Sequence, residues 1–341
     1  MAVTKTDARD EAGLDAETLR AMYRHMLRSR LLDERMWVLN RQGRAPFWIS
    51  GMGHEAVQVA FGMNLRPGYD WVAPYYRDLA LTLVLGMTPR DQLLSALARA
   101  ADPNSGGRQM PAHYGCRRYN IITTGSSVGT QLLHAAGIAL ASRMRGEDAV
   151  TFTSCGEGAT SEGDFHEALN FAATQRLAVL FVVENNGFAI SVPWEKQMPI
   201  PNVADRAAAY GVPGIVVDGE DPMACYRVAK EAVAHARRGE GPVLVEAKVL
   251  RLTSHSSDDD QRRYRPAEEL AAEKERDCVA RFRSQLEDLG VLTASVADDM
   301  RTDLTRELDR AEEEAEAAPL PEAETAMRNV LAEPAEGGER G

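Results

Sequence analysis

Cysteine is scarce in this chain of 341 residues. The four present, Cys116, Cys155, Cys225 and Cys278, are far apart, with no Cys-x-x-Cys pair among them. That argues against a small disulfide-stapled scaffold and for a reducing compartment. Long apolar runs are missing as well, and none approaches the roughly 20 residues of a membrane span. The first dozen residues mix Asp7, Asp10 and Glu11 with Lys5 and Arg9. They lack the apolar core of a signal peptide and the acid-poor character of a transit peptide, so the expected location is the cytoplasm, away from membranes. Positive charge is in deficit, 39 Lys and Arg against 51 Asp and Glu for a net charge of −12, with an acidic run at Glu312, Glu313, Glu314 and Glu316. This balance argues against nucleic acid and anionic lipid as partners. No Gly-x-Gly-x-x-Gly opens a helix after a strand, which argues against a dinucleotide-binding dehydrogenase. No internal repeat is visible.

What is present is a 44% hydrophobic content, enough for a packed core in one large α/β domain or two small ones. Asp15 can cap a helix whose apolar residues Leu19, Met22, Tyr23, Met26, Leu27 and Leu31 recur at helical spacing until Gly43. From Phe47 to Gly125 the pattern breaks into short helices and loops rich in Gly, Pro, His and aromatic residues. From about residue 129 the chain alternates: a helix near 129–143, an apolar run at 149–154, a helix around Phe165–Ala173, and a second run at 178–183. A third run at 215–217, a helix near 222–237 and a strand at 243–249 follow. Such alternation predicts a parallel sheet flanked by helices with right-handed crossovers. The expected organisation is a helical extension over 1–46, an α/β unit over 47–266, amphipathic helices over 267–335 and a frayed tail over 336–341.

In open parallel sheets, ligands bind at the carboxyl ends of the strands. Three unusual segments fall there: Gly156-Glu157-Gly158, Asn185-Asn186-Gly187 and, shortly after the last strand, Ser254-His255-Ser256. Together they offer a carboxylate, carboxamides and an imidazole. The glycines let the backbone approach a ligand, while Glu157 and Asn186 supply hard oxygen donors that suit Mg²⁺ together with phosphate oxygens and water. Singly, each tripeptide is an ordinary turn. Their separation of about one strand-helix-strand unit is what makes the pair informative.

The stretch from Gly156 through Asn186 resembles the thiamine diphosphate motif that opens with Gly-Asp-Gly and closes with Asn-Asn. Glu157 stands where many such enzymes have Asp, a form found in the alpha subunits of branched-chain 2-oxo acid dehydrogenases. The resemblance extends over about residues 15–330, through YYRD at Tyr75–Asp78, GRQMPAHYGC at Gly107–Cys116 and SHSSDDDQRRYR at Ser254–Arg265. It implies a thiamine diphosphate-binding fold, with Mg²⁺ held by Glu157, Asn186 and the Phe188 carbonyl among Gly156, Gly158 and Ala159. Tyr76, Arg77 and His255 would reach the diphosphate, Ser126 and Val128 would line the thiamine, and Val128 would support the bent cofactor. Thr130 and Gln131 resemble a K⁺ site, against the plainer reading of helix caps. His255 is the candidate for proton transfer or charge stabilisation, and Arg251, Asp259, Tyr264 and Arg265 would order its loop. Ser256 matches a serine phosphorylated in animal relatives; phosphate there would disorder the loop.

The resemblance further implies oxidative decarboxylation of a 2-oxo acid and reductive acylation of a lipoyl group on an acyltransferase core. The chain has only the diphosphate-binding half, so a beta subunit completing an alpha-beta heterotetramer is expected. The Asp-rich segment after His255 favours branched-chain substrates over pyruvate or acetoin. Phe47, Trp48 and Met52 could form an apolar wall near the substrate, against the plainer reading of core. A reading from another class is a non-catalytic scaffold subunit; Glu157, Asn186 and His255 speak against it.

Overall fold

The structure is a computed structural model that describes residues 14–328. The first dozen residues and the 336–341 tail lie outside the described residues. In chain order the elements are α1 (Ala16–Arg41), α2 (Glu55–Asn64), β1 (Trp71–Ala73), α3 (Leu79–Val84), α4 (Pro89–Ala96), α5 (Thr130–Met144), β2 (Thr151–Gly156), α6 (Gly163–Gln175) and β3 (Val179–Asn185). There follow β4 (Phe188–Ala189), β5 (Val192–Pro193), α7 (Ala207–Tyr210), β6 (Gly214–Asp218), α8 (Pro222–Arg237), β7 (Val243–Lys248), α9 (Ala267–Glu275), α10 (Cys278–Asp288) and α11 (Ala294–Ala317).

Five strands form one parallel sheet in the order β1-β2-β3-β7-β6. All seven residues of β3 are buried, as a central strand covered on both faces requires. One face packs under α2 and α8, around Phe61, Phe152, Val182 and Val245. The other packs under α5 and α6, around Leu132, Phe165, Leu169 and Phe181. A third core joins α1 to α10 and α11, so the two helical ends of the chain brace each other. Local chemistry sets the helix starts: Asp15 accepts from Thr18 N–H at 2.7 Å, and Asp221 caps α8 ahead of Pro222. Among the described residues no helix is long and apolar enough to cross a membrane.

Two features depart from the expected pattern. The segment 47–125, expected to hold only helices and loops, contributes the edge strand β1, three residues long and stopped by Pro74. After β3 the chain makes a two-residue-per-strand antiparallel hairpin, β4–β5, where a loop was expected. Both are too short to show a periodicity of two. The strand ends also shift: β2 runs to Gly156, which pairs with Glu184 of β3, so the first glycine of the tripeptide is still sheet.

Phe282 on α10 is fully buried and edge-on to Tyr23 of α1 at 6.4 Å between ring centres. Phe282→Ala is expected to cost about 3–5 kcal/mol of stability, the range for emptying a buried phenyl, measured by urea unfolding.

Candidate active site

At the carboxyl edge of the sheet the ends of β1, β2 and β3 open on a cavity of about 390 Å³. Tyr76, Arg77, Ser126, Val128, Gln131, Gly156, Glu157, Gly158, Ala159, Asn186, Phe188 and His255 all line it. Thr130, Arg251, Asp259, Tyr264 and Arg265 do not. Trp48, considered for the substrate wall, instead belongs to the α1 core, and its indole N–H donates to Asp33. Phe47 packs against the sheet core, and Met52 faces a separate groove, so this group forms no wall of the cavity.

Glu157 is buried, and its oxygens accept from Gln197 Nε2 at 3.2 Å and Asn186 N–H at 3.3 Å. Among the described residues it makes no ion pair, and burial raises its pKa. Asn186 Oδ1 accepts from Phe188 N–H at 3.2 Å, which fixes the amide and leaves its nitrogen facing His54 Nε2 at 3.5 Å. The glycines differ in purpose. A Cβ on Gly156 would meet open space, whereas one on Gly158 would lie 2.7 Å from Ala189 Cβ. Gly158 therefore lets the hairpin seat against the β2 turn.

His255 Nδ1 lies 3.0 Å from Arg77 Nη2, which also donates to the His255 carbonyl at 3.1 Å. A guanidinium can only donate, so Nδ1 carries the lone pair and the neutral ring holds its proton on Nε2. Burial, with Arg77 and Arg251 nearby, pushes His255 down to about 4. Its loop is tied by Asp259, which accepts from His255 N–H at 2.8 Å and Tyr264 OH at 2.5 Å. Arg251 donates to Tyr264 OH at 2.9 Å and to the Ile190 carbonyl at 2.8 Å, linking loop and hairpin. Arg265, buried, donates to the Arg251 carbonyl at 2.9 Å and stacks over Phe188 at 4.7 Å. Ser256 is 7% exposed, so a kinase would reach it only with the loop displaced.

Beneath the cavity lies a buried polar group that sequence reasoning passed over. Glu184 Oε2 accepts from His54 Nδ1 at 2.6 Å, Tyr75 OH at 3.0 Å and Gln58 Nε2 at 3.0 Å. Asp78 accepts from Ser154 Oγ and from Tyr75 N–H. Burial raises both carboxyls, Asp78 well above its usual range because the Glu184 charge adds to it, so the pair retains a proton. Burial also drives His54 down to about 3, which keeps it neutral. The available signal was Glu184 itself, a charged residue inside the apolar run LFVVE. Ser126 Oγ meets His113 Nε2 at 2.9 Å, a second unforeseen partner at the cavity. Two apolar residues of the cavity lining are exposed, Val128 at 44% and Ile190 at 57%, and Val192 on the adjoining hairpin is 43% accessible.

Residues 23–324 match the family described as Dehydrogenase E1 component. The chain belongs to that family. It is 46% identical over 327 residues to the 2-oxoisovalerate dehydrogenase subunit alpha of Bacillus subtilis, covering 96% of this chain and 99% of that one. It is 42% identical over 278 residues to the 3-methyl-2-oxobutanoate dehydrogenase subunit alpha of Mycobacterium tuberculosis, covering 82% and 73%. The pyruvate dehydrogenase E1 component subunit alpha of Staphylococcus aureus is 38% identical over 279 residues, covering 82% and 72%. Membership in the E1 dehydrogenases makes the chain an oxidoreductase component and implies thiamine diphosphate as its cofactor.

The E1 cavity contains one carboxylate, and no cluster of three or more His, Cys, Asp or Glu capable of holding a metal occurs among the described residues. Glu157, Asn186 Oδ1 and the Phe188 carbonyl are oxygen donors of the hard class that Mg²⁺ takes, and Mg²⁺ also takes phosphate oxygens and water.

His255 has a folded value of about 4 against 6.5 for the free side chain. Between those values the unfolded chain binds the proton first, so this histidine lowers stability as pH falls from 6.5 toward 4. His255→Asn is expected to make the thermal midpoint less sensitive to a change from pH 7 to pH 5, read by a thermal melt at each pH.

Proposed function

We propose that this chain is the alpha subunit of a branched-chain 2-oxo acid dehydrogenase, acting on acids such as 3-methyl-2-oxobutanoate. The observation that carries the reading is Glu157, a buried carboxylate that makes no ion pair among the described residues, opening on the same cavity as Asn186, Phe188, Arg77 and His255. The substrate class is supported by the 46% identity along nearly the whole length of a 2-oxoisovalerate dehydrogenase alpha subunit, against 38% over a shorter span for the pyruvate relative.

In this reading Glu157, Asn186 and the Phe188 carbonyl hold Mg²⁺, and Tyr76, Arg77 and His255 face the diphosphate. Gly156, Gly158 and Ala159 shape the turn around it, and Ser126 and Val128 border the thiamine rings. Bound there, thiamine diphosphate supplies the carbanion-stabilising centre needed for loss of carbon dioxide. His255, neutral with its proton on Nε2, is the group for proton transfer or charge stabilisation during acyl transfer to a lipoyl group. Arg251, Asp259, Tyr264 and Arg265 hold its loop in order. Gln131 spends its amide nitrogen on the Ser154 carbonyl at 2.9 Å, so its oxygen is the atom it offers, with Thr130, to K⁺.

The reading includes a beta subunit that covers the apolar rim, in an arrangement of two alpha and two beta chains serving a lipoyl acyltransferase core. We assign the cofactor unit to residues 47–266, braced by helices from 1–46 and 267–335. Four unpaired cysteines among the described residues agree with a cytoplasmic setting.

Two measurements test this. With its beta subunit, the protein is expected to reduce a dye with 3-methyl-2-oxobutanoate, dependent on thiamine diphosphate and Mg²⁺, in preference to pyruvate and acetoin; a preference for either of those changes the substrate. Glu157→Gln is expected to weaken thiamine diphosphate binding in Mg²⁺ by at least about tenfold, the scale of losing one charged contact to a metal. Unchanged binding by calorimetry would remove Glu157 from the metal site.

A further inference from the structure

Asp33 lies on α1, 1% exposed and absent from the cavity lining. Its two oxygens accept from three groups of one short segment: Trp48 Nε1 at 2.8 Å, Ser50 Oγ at 2.9 Å and Gly51 N–H at 2.8 Å. That segment in turn holds two parts of the site. The Ser50 carbonyl accepts from Arg77 Nη1 at 2.6 Å. Trp48 N–H donates to Ser257 Oγ at 3.0 Å, its carbonyl accepts from Ser257 N–H at 2.8 Å, and the Met52 carbonyl accepts from Leu252 N–H at 3.4 Å. Both flanks of His255 thus hang on residues 48–52, and Arg77, tied to the same segment, donates to His255 Nδ1.

The segment has no slack. A Cβ on Gly51 would lie 2.5 Å from the Arg77 carbonyl oxygen, and one on Gly53 would lie 2.3 Å from the Leu250 carbonyl oxygen. Backbone is pressed against backbone at both points, so a shift of the segment is passed to Arg77 and to the chain leading into the His255 loop.

We propose that Asp33 is a positioning residue: from α1 it fixes segment 48–52 and, through it, sets Arg77 and the His255 loop over the cavity. A buried carboxylate persists only when its oxygens are hydrogen-bonded, and bonds to a charged acceptor are stronger than neutral ones. All three donors come from a single stretch of four residues, so the carboxylate acts as one clasp on it. Asparagine cannot replace it, because an amide nitrogen would point a donor at a donor. That Arg77 and His255 face the cofactor rests on the function proposed above; that Asp33 orders the loop does not.

The test uses the assembled alpha-beta enzyme with Asp33→Asn and, as a control for lost stability, Leu32→Ala, a fully buried neighbour on α1. Two quantities are read: trypsin cleavage at Arg262 and Arg263, which are exposed in the loop, and the thiamine diphosphate concentration for half-saturation in Mg²⁺. Asp33→Asn is expected to raise each by about tenfold, the scale of one lost charged hydrogen bond. Leu32→Ala is expected to lower the thermal midpoint and leave both unchanged. Wild-type values in Asp33→Asn overturn the proposal, and so does Leu32→Ala reproducing its changes. Should Asp33→Asn not fold, Ser50→Ala removes a single donor and must raise cleavage in the same direction; no rise overturns the proposal. If the wild-type enzyme itself binds no thiamine diphosphate, the functional reading fails, and the cleavage rates alone decide the role of Asp33.

Discussion

Gly156 on β2 stands opposite Glu184 on β3, and Asn185 stands opposite Lys248 on β7. Because the strands are parallel, this register brings the chain out of the sheet at one level three times over, after β2, β3 and β7. The Glu157 turn, the Asn186 turn and the loop carrying His255 therefore emerge on the same edge. A one-residue slip would send alternate side chains to the opposite face, bringing Val183 to the place of Glu184. Val183 could accept none of the hydrogen bonds that His54, Gln58 and Tyr75 give to Glu184, and this loss is what pins the register. Placement of the candidate site residues is thus tied to the polar partners buried beneath them.

Placing Glu184 and Asp78 together in that core is costly unless their charge is shared. Two hydroxyls, a histidine and a glutamine surround the pair, drawn from three places in the chain: His54 and Gln58 from the start of α2, Tyr75 from just after β1, and Ser154 from β2. The polar group therefore works as a keystone under the cavity floor. It joins pieces that the hydrophobic cores on either side of the sheet could otherwise let drift. His54 carries the connection upward, from Glu184 to the amide of Asn186.

Much of this was legible in the chain. The strand-helix alternation from residue 129 onward follows from apolar runs and punctuating glycines, and the three segments at strand ends could be expected to converge. Helix α8 matches its expected span because Asp221 and Pro222 announce its start and Gly239 its end. What was not legible depends on contacts between distant residues. Strand β1 exists because β2 offers it a partner 80 residues away, and the β4–β5 hairpin seats because Gly158 leaves room for Ala189. Trp48 reads equally well as pocket wall or core until Asp33 claims its indole N–H. Glu184 was hidden for the opposite reason: its surroundings look like any buried strand, and its partners lie more than 100 residues earlier.

Two exposed apolar side chains, Val128 and Ile190, lie at the mouth of the cavity, and Val192 is exposed on the hairpin beside Ile190. Scattered apolar residues are ordinary on a protein surface, whereas a few of them gathered near one opening make a place where copies can adhere to one another. If, as proposed, a beta subunit covers these residues, a cell that makes this chain in excess of it would accumulate orphans prone to clumping. Balanced synthesis of the two chains is then a matter of colloidal survival, apart from any need of catalysis.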